Sequence, residues 1–465
     1  MFPEVTAVLT PERPLVAVLD IGKTNAKVVV ADPETGRELS SAVRPNAPLP
    51  DAPYRAIDAD AIEAFVLAAL AAAPDRARIG AIVPVAHGAC AALADETHLV
   101  LPVMDYEEPA LETVADAYRA ERDPFALTGS PFVPLGLNLG RQLYFLETRF
   151  PQAFQTATRL LFWPQYWSWR LTGVATTEVT SAGCHTDLWS PAAAGFSPLA
   201  ERRGWARLAP PLVGAGDVVG KISPAVAAAT GLSPSVSVLS GIHDSNASFL
   251  RHRLARPAGD PFVVVSSGTW IILLASGIPS HGLDEAHDCL VNVDALGEPT
   301  PTARFMGGRE YAAIAGDGAP NPTADDLDAV FAAGAMALPA FVATGGPFTG
   351  RTGEIRDAEG LSASGRAALA SLYCALVTDV SLDLLGARGP VVIEGPFAEN
   401  PLYPGLLAAL REDPVMVSGD RAGTIGGALA LAAPGRTPAP QLTPAVPIAP
   451  ARLADYRRRW RAAVA

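Results

Sequence analysis

The chain has 465 residues, of which 49% are hydrophobic and 18% charged. This composition is typical of a folded protein, and the length suits two hydrophobic cores better than one. The formal net charge of −13 argues against nucleic acid and anionic membrane surfaces as partners, which select basic proteins.

The cysteine spacing and the first residues of the chain indicate which kinds of site and which cellular location to expect. Cys90, Cys184, Cys289 and Cys374 lie far apart without a CxxC pattern, which argues against a zinc site and a disulfide framework. Residues 1–14 are acidic and proline-containing rather than signal-like, and no apolar run approaches the roughly 18 residues that span a bilayer. We therefore expect a cytoplasmic protein.

A strand-turn-strand pattern at residues 15–32 organises the chain, because two valine-rich runs flank a short polar turn. The polar positions here are Asp20, Gly22, Lys23, Thr24, Asn25 and Lys27. Gly22 allows the backbone to approach a ligand, the hydroxyl, amide and ammonium groups are donors, and Asp20 can hold a hydrated Mg²⁺. The pattern indicates a phosphate-binding turn, with an ordinary polar hairpin as the alternative.

The next polar positions follow predicted buried strands. A helix is predicted over 60–73, with Asp58 or Asp60 as its N-cap. Strand 79–86 leads to His87-Gly88, and a second strand, 99–104, leads to Asp105. Polar residues at such strand ends are where α/β sheets bind ligands. For His87 the alternative is a half-buried structural histidine.

Residues 138–173 read as mainly helical. Their aromatic cluster of Trp163, Tyr166, Trp167 and Trp169 is predicted to pack in the core rather than to stack on bases. Gln165, between two of these aromatics, is a candidate to face the ligand.

The motif GIHDSNA at 241–247 follows a short predicted strand at 237–239. It places Asp244 at the mouth of a strand, where a carboxylate can serve as general base for a hydroxyl group. The alternative role is a helix N-cap, because DSNASFL can begin a helix. The two roles do not exclude each other.

A second strand-turn-strand pattern lies at residues 261–276, with Ser266, Ser267, Gly268 and Thr269 in its turn. Two such hairpins indicate a duplicated domain rather than a short-period array. We predict an N-terminal domain over residues 1–239 and a C-terminal domain over 240–465, with both turns at a shared cleft.

The last third of the chain is predicted to alternate helices and strands. Residues 304–314 read as a helix start, and 345–352 resembles a phosphate loop but lacks the helix that should follow it. A long helix at 367–385, strands at 390–394 and 414–417 and a small-residue helix at 423–433 come next. The glycines of the last helix suit either a flat ligand such as adenine or tight helix packing. The basic helix after residue 451 is predicted to be a solvated closing helix.

These motifs together resemble the FGGY family of carbohydrate kinases, in the actin-like ATPase superfamily, over nearly the whole chain. DIGKTNAK (20–27) and SSGTW (266–270) resemble the two phosphate motifs, and GIHDSNA resembles the region of the catalytic aspartate. GPFAEN (395–400) and GTIGGALALA (423–432) resemble the adenosine region. The HD pair with SSGTW is closer to the rhamnulokinase branch, which suggests a ketose, including a 6-deoxy ketose.

The resemblance implies an α/β fold of two duplicated actin-like (ribonuclease H-like) domains around a central cleft, binding ATP and Mg²⁺. Asp244 would be the general base, and Asp20 would bind Mg²⁺ through water. The implied phosphate contacts are Gly268 and Thr269, and the implied adenosine contacts are Gly395, Pro396 and Asn400. The implied sugar contacts are His87, Gly88, Asp105, Gln165 and His243. Gly395-Pro396 departs from the family's usual glycine pair.

The expected activity is transfer of a phosphoryl group from ATP to the primary hydroxyl of a ketose. The expected partner is a small-molecule sugar, and neither nucleic acid nor a membrane is expected as a partner. Whether the protein forms a homodimer is left open. The alternative is a nucleotide-switch ATPase of the same fold without a sugar acceptor. A dehydrogenase is remote, because no GxGxxG follows a strand.

Overall fold

The computed structural model describes residues 8–419, 423–448 and 451–465, which divide into two compact units. The first contains 8–251, 291–299 and 423–439, and the second contains 252–290, 300–419, 440–448 and 451–465. The domain division predicted at 239/240 stays a prediction. Residues 1–7, part of the stretch on which the signal-peptide prediction rests, lie outside the described residues.

Two large sheets carry most of the strands. The strands in chain order are β1 (Leu15–Ile21), β2 (Asn25–Ala31), β3 (Glu38–Pro45), β4 (Ile79–Ala86), β5 (Ala91–Ala94), β6 (Arg159–Phe162), β7 (Thr177–Glu178), β8 (Trp189–Ser190), β9 (Gly195–Phe196), β10 (Leu212–Val213), β11 (Val218–Lys221), β12 (Ser237–Leu239), β13 (Ile242–His243), β14 (Phe262–Ser267), β15 (Ile271–Ser276), β16 (Cys289–Val293), β17 (Pro299–Phe305), β18 (Met336–Leu338), β19 (Glu354–Arg356), β20 (Val391–Glu394), β21 (Val415–Ser418) and β22 (Leu442–Pro444).

Helices connect and cover these strands. The α-helices in chain order are α1 (Ala59–Ala72), α2 (Ala115–Glu121), α3 (Phe125–Thr128), α4 (Leu139–Arg149), α5 (Pro151–Phe154), α6 (Trp163–Thr172), α7 (Val179–Ala182), α8 (Pro198–Arg202), α9 (Pro224–Thr230), α10 (Asp244–Leu254), α11 (Gly307–Ala315), α12 (Ala324–Ala333), α13 (Ala363–Leu384), α14 (Tyr403–Leu410), α15 (Gly423–Ala432) and α16 (Leu453–Val464). Short 3₁₀ helices occur at Arg76–Arg78, Pro109–Val114, Trp205–Leu208, Glu285–His287 and Pro396–Glu399.

The first unit is built on a seven-stranded sheet of order β11-β12-β4-β1-β2-β3, with β13 also paired to β4. β1 and β2 form the predicted antiparallel hairpin, whereas β4 lies parallel to β1. Alternate β1 side chains enter two different cores, since Leu15 and Leu19 pack with α1 and α6 and Val16 and Val18 pack with α15. Helices on both faces explain why β1 and β4 are apolar runs rather than alternating ones.

The second unit carries the other seven-stranded sheet, of order β16-β17-β15-β14-β20-β21-β22. β14 and β15 form the second predicted hairpin, and β20 lies parallel to β14. Among the described residues, one helix, α13, is long and apolar enough to cross a membrane, but 83% of its apolar window is buried inside the folded chain. The fold class predicted from the sequence, α/β with two sheet-based units, is confirmed.

Several local predictions are confirmed and others are wrong. α1 begins after the N-cap Asp58, whose side chain accepts a hydrogen bond from Ala61 N, and 345–352 is a loop. Residues 99–104 do not form the predicted strand, since the chain there makes only isolated bridges and Pro102 removes a ladder donor. The predicted helical stretch 138–173 contains β6, paired with β5.

Two further elements differ from their predictions. Residues 304–314 are the end of β17 followed by α11, so Arg304 and Phe305 belong to a strand. The closing helix α16 is more than a solvated helix, because one of its faces, including Tyr456 and Trp460, is buried. The small-residue helix α15 packs tightly, since a Cβ on Gly427 would lie 1.8 Å from Ala247 O.

Candidate active site

The turn of the first hairpin is held open toward solvent. Gly22 N donates to Asn25 O at 2.9 Å, and Asn46 fastens the turn by donating from Nδ2 to Gly22 O and from N to Thr24 O, both at 2.8 Å. Thr24 and Asn25 are exposed. Their hydroxyl and amide groups are therefore available to a ligand, as the sequence predicts.

Asp20 lies at the end of β1 without a hydrogen-bond donor among the described residues. Burial, followed by repulsion from Asp244, raises the pKa of its carboxyl to about 7. Lys27 lies opposite Asp20 in the β1–β2 register and lowers that pKa, but its ammonium is paired with Glu38 at 3.2 Å. The site thus holds two neighbouring carboxyl groups that repel each other when ionised.

This charge pattern fits a hydrated Mg²⁺ at Asp20. No cluster of three or more potential His, Cys, Asp or Glu ligands occurs among residues 8–419, 423–448 and 451–465. Mg²⁺ commonly keeps several waters and binds through one or two carboxylates and substrate phosphates. An uncompensated Asp20 carboxylate is suited to that mode of binding and not to a closed protein cage.

The ammonium of Lys23 is paired with carboxylates of the protein. Its ammonium pairs with the carboxylate of Asp105, lies 3.5 Å from Glu107 Oε2 and sits 4.8 Å from the centre of the Tyr106 ring. Asp105 also accepts hydrogen bonds from Arg55 Nε at 2.8 Å and from Glu107 N at 2.9 Å. Burial opposes ionisation of Asp105, but these donors lower its pKa. Lys23 and Asp105 thus belong to one ion-pair cluster, in which Asp105 is buried and its partners are partly exposed.

His87 follows β4 and is held as a neutral imidazole. Burial lowers its pKa, and its Nδ1 lies 2.8 Å from Gly88 O, so Nδ1 carries the hydrogen in the neutral ring. That leaves Nε2 as an acceptor for a hydroxyl. The rings of Tyr106 and Trp163 lie beside it, with centroids at 6.0 and 6.5 Å.

Gly88 is close to a second histidine. A Cβ at this position would lie 2.9 Å from His243 Nε2 and 3.0 Å from Cys184 Sγ. Only glycine leaves room there for both groups.

Gln165 is fully buried near the segment that leads to Asp244. Its Nε2 donates to Ser240 O and Gly241 O at 3.1 Å each, while its Oε1 has no partner among the described residues. Gln165 therefore supports the backbone before β13, and its predicted sugar contact stays a prediction. Its aromatic neighbours, including Trp163 and Trp167, are buried, as predicted.

Parallel pairing brings Asp244 to the end of β4. β13 pairs with β4 through His243 and Ala86, the residue before His87. The approach needs a glycine at 241, where φ is +90° and a Cβ would lie 2.5 Å from Pro84 O. α10 begins at Asp244, so the carboxylate stands at a strand-to-helix junction.

The two oxygens of Asp244 have different surroundings. Oδ1 accepts hydrogen bonds from Ser245 N at 2.6 Å and Ser245 Oγ at 3.2 Å, and it lies 3.1 Å from His243 Nε2. Oδ2 has no donor among the described residues. An N-cap side chain usually bonds the N–H two or three residues ahead, a contact that Asp244 does not make. One oxygen is anchored and the other is available to accept a proton.

His243 lies among groups that the sequence pattern did not single out. Its Nε2 is 3.6 Å from Cys184 Sγ, its Nδ1 is 3.2 Å from Asn246 Nδ2, and its backbone N donates to Thr180 Oγ1 at 3.1 Å. Burial opposes charge on His243, but Cys184 and Asp244 raise its pKa to about 9. No motif signals Cys184, since it is 59 residues away in sequence.

The second hairpin is also closed by a bond from the N–H of its glycine, but its turn is one residue shorter than that of the first. Gly268 N donates to Trp270 O at 2.8 Å, and Gly308 N donates to Thr269 O at 3.2 Å. Thr269 is an exposed residue. These features suit the predicted phosphate contacts at Gly268 and Thr269, which stay predictions.

The predicted adenosine positions form a tight strand-to-helix corner. Gly395 has φ +80° and leaves no room for a Cβ, which would lie 2.1 Å from Ser267 O. Pro396 is exposed. Asn400 fixes the turn that leads into α14, since its Oδ1 accepts from Leu402 N at 3.0 Å and Tyr403 N at 2.9 Å. The Asn400 amide already has a structural role, and adenosine contacts at the corner stay predictions.

Comparison with known sequences identifies two family matches along the chain. Residues 15–250 match the N-terminal domain of the FGGY family of carbohydrate kinases, and residues 259–440 match the carbohydrate kinase FGGY C-terminal domain. Among curated proteins, L-fuculokinase of Salmonella typhi is 29% identical over 273 residues. That match spans 57% of this chain and 57% of the relative, so only a little over half of the relative's length is matched.

Solved structures extend the similarity to nearly the whole chain. A carbohydrate kinase from Novosphingobium aromaticivorans is 42% identical, with a TM-score of 0.89 over 97% of this chain and 99% of that one. A xylulose kinase from Rhodospirillum rubrum is 19% identical, with a TM-score of 0.77 over 97% and 98% of the two chains. At that identity the second likeness concerns the fold alone.

Proposed function

The chain belongs to the FGGY family of carbohydrate kinases, and we propose that it transfers the γ-phosphoryl group of ATP to the primary hydroxyl of a ketose. The observation that carries the proposal is the asymmetry of Asp244. Its Oδ1 is fixed by Ser245 and His243, and its Oδ2 has no donor among the described residues. A positioned carboxylate oxygen of this kind can accept the proton of an attacking hydroxyl.

The residues of the first unit divide into two groups. Asp244 accepts the hydroxyl proton, and the neutral His87 offers Nε2 to a neighbouring sugar hydroxyl. On the phosphate side, the exposed donors of Thr24 and Asn25 bind phosphate oxygens, while Asp20 holds hydrated Mg²⁺. Bound Mg²⁺ neutralises charge on the transferring phosphoryl group.

The pairing of Lys23 with Asp105 alters the predicted division of roles. Because its ammonium is fixed on Asp105 and Glu107, we assign Lys23 to the sugar side of the site. There it keeps Asp105 ionised and oriented, so that the carboxylate can accept a hydrogen bond from a sugar hydroxyl. Phosphoryl transfer depends mainly on such positioning and on electrostatic stabilisation.

The substrate is proposed from similarity as well as from the site. The curated relatives are named L-fuculokinases, and the HD pair at 243–244 suggests a 6-deoxy ketose. L-Fuculose and L-rhamnulose are therefore the first candidates. A xylulose, gluconate and glycerol complete a test panel, because kinases with those names share the fold.

The test is release of ADP, measured in a coupled assay with Mg²⁺ and ATP, with each acceptor in turn. We expect one ketose to raise ADP release far above the rate without acceptor. Asp244→Asn should lower turnover by about 10²–10⁴-fold, typical of losing a general base, while sugar binding by calorimetry changes by only a few-fold. A variant within about threefold of the parent would refute the role of Asp244.

The same assay distinguishes the proposed kinase from the alternative function, a nucleotide-switch ATPase. A nucleotide switch without an acceptor would hydrolyse ATP at a rate that no sugar changes, and Asp244→Asn would then alter no sugar-dependent rate. The surroundings of Asp244 favour the kinase, because a switch has no use for a carboxylate oxygen held open to a hydroxyl. A cytoplasmic location is part of this proposal.

A further inference from the structure

A buried cysteine and histidine lie directly behind the proposed base. Cys184 is 2% exposed and His243 is 5% exposed, and Cys184 Sγ is 3.6 Å from His243 Nε2. The same Nε2 is 3.1 Å from Asp244 Oδ1. The histidine therefore bridges a buried sulfur and the oxygen of Asp244 that Ser245 also contacts.

The surroundings of His243 suit an imidazolium. Nε2 faces two acceptors, the Cys184 sulfur and the Asp244 carboxylate. Nδ1 faces the amide of Asn246, whose Oδ1 is buried without a partner among the described residues when Nδ2 is turned toward the ring. The O and N atoms of an amide are assigned from the hydrogen-bond network. If those of Asn246 are exchanged, Asn246 Oδ1 accepts a hydrogen bond from His243 Nδ1–H. A doubly protonated ring thus donates from both of its nitrogens.

Other charged groups around the cluster support the same charge state. Glu178 is buried on the side of α7, and its Oε2 accepts from Thr180 Oγ1, which in turn accepts from His243 N. Glu178 and Asp244 both favour the cationic ring, and His185 together with His243 favours a thiolate on Cys184. Burial opposes both charges, but the neighbouring histidines lower the pKa of Cys184 to about 5. His87 and Asp20 also interact electrostatically with Asp244.

We propose that Cys184 is a positioning residue: its thiolate holds His243 as an imidazolium, whose Nε2–H fixes Asp244 Oδ1 and leaves Oδ2 as the oxygen that accepts the substrate proton. The proton of the Cys184 thiol resides on His243, so no further reactant is needed. This inference rests on the proposed function only in the role it gives to Asp244. The ion pair itself is a property of the folded protein.

The ion pair is tested without any substrate. Ultraviolet absorbance of thiolate is titrated against pH in the full chain, in Cys184→Ser, in His243→Gln and in Cys90→Ser as a matched buried-thiol control. We expect about one thiolate per chain at pH 7 in the parent and in Cys90→Ser, none in Cys184→Ser, and a clearly smaller thiolate fraction in His243→Gln, where His185 still favours the thiolate. A parent with no thiolate at pH 7 would overturn the inference, whatever the enzyme's activity.

The positioning role is tested by the pH dependence of turnover with the accepted sugar. Removing an opposite charge within about 4–6 Å of a histidine lowers its pKa by about 1–3 units. In Cys184→Ser the alkaline limb of kcat should therefore move down by about one pH unit or more, with the sugar KM within a few-fold. Cys90→Ser should keep the parent profile. An unchanged limb in Cys184→Ser refutes the positioning role while leaving the role of Asp244 standing.

Folding and the proposed function are controlled separately. Circular dichroism and thermal melting check each variant, and Cys184→Ala replaces Cys184→Ser if the serine variant does not fold. If neither replacement folds, the thiolate titration of His243→Gln against the parent decides the inference. If no sugar is phosphorylated by the parent, the proposed function fails, and the thiolate titration still decides whether the pair exists.

Discussion

Replacing Asp20 by asparagine should stabilise the protein and abolish Mg²⁺-dependent turnover. The carboxyl of Asp20 is sheltered, lacks a hydrogen-bond donor among the described residues and is repelled by Asp244, so that its pKa rises from 3.8 to about 7. At neutral and alkaline pH the folded protein thus keeps a carboxylate in an unfavourable place. Asparagine has a similar shape and no charge.

The expected gain in stability depends on pH. Because the folded pKa lies above the unfolded value, the folded state binds the proton more tightly and stability falls as pH rises from about 4 to about 7. The gain in Asp20→Asn is therefore small near pH 4, grows through that window and is constant above pH 7. Three pKa units correspond to about 4 kcal/mol, and partial exposure of Asp20 reduces this to about 2 kcal/mol.

Thermal melting between pH 4 and pH 9 measures the effect. We expect the melting temperature of Asp20→Asn to exceed that of the parent by about 5 °C at pH 8, since about 1 kcal/mol corresponds to about 2–4 °C in a domain of this kind. Asp32→Asn, at the far end of the same hairpin, keeps its turn hydrogen bond and is the control. A difference that does not vary with pH, or a less stable Asp20→Asn at pH 8, would refute the reasoning.

Three other substitutions test the packing and charge of the two units. Gly88→Ala would press a methyl group onto His243 and Cys184, and we expect at least a tenfold loss of kcat in the ADP assay together with a loss of stability of about 1–3 kcal/mol, as overpacking causes. Lys23→Met removes one of the two cations paired with Asp105 and leaves Arg55, so the sugar KM should rise about tenfold while the ATP KM stays nearly constant; the reverse pattern would restore Lys23 to the phosphate side. Asp379→Asn removes the fully buried partner of three arginines; because these arginines are partly exposed and two of them also pair with Asp383, we expect a cost of about 1–3 kcal/mol, which chemical denaturation would detect as earlier unfolding of the second unit.

Much of the sheet framework could be predicted because its signals are local. Valine-rich runs separated by a glycine-containing turn describe the hairpin of β1 and β2, and a fully apolar run describes β4. The N-cap Asp58 could also be predicted, since its hydrogen bond spans three residues. Periodicity and turn chemistry depend on neighbours in sequence, so they are visible without knowledge of the fold.

The site was less predictable because its geometry depends on pairing between distant segments. Asp105 and His87 could be proposed as polar residues near strand ends, although the strand assigned before Asp105 does not form. The pairing of Lys23 with Asp105 crosses 82 residues and that of Cys184 with His243 crosses 59. Each residue looks ordinary in its own stretch, so only the folded chain reveals that the first is an ion pair and the second a buried cluster behind Asp244.

Asp20 and Asp244 lie in opposite electrostatic surroundings, which bears on the order in which nucleotide and sugar bind. Asp244 is anchored by donors and by the cationic His243, whereas Asp20 has no anchor among the described residues and gains a proton easily. Their mutual repulsion means that a cation arriving at Asp20 would ionise Asp20 and also offset its repulsion of Asp244. In the proposed kinase, Mg²⁺ arriving with the nucleotide would therefore complete the charge balance around the base, and a sugar bound alone would meet a site in which Asp20 still repels Asp244 whenever Asp20 is ionised.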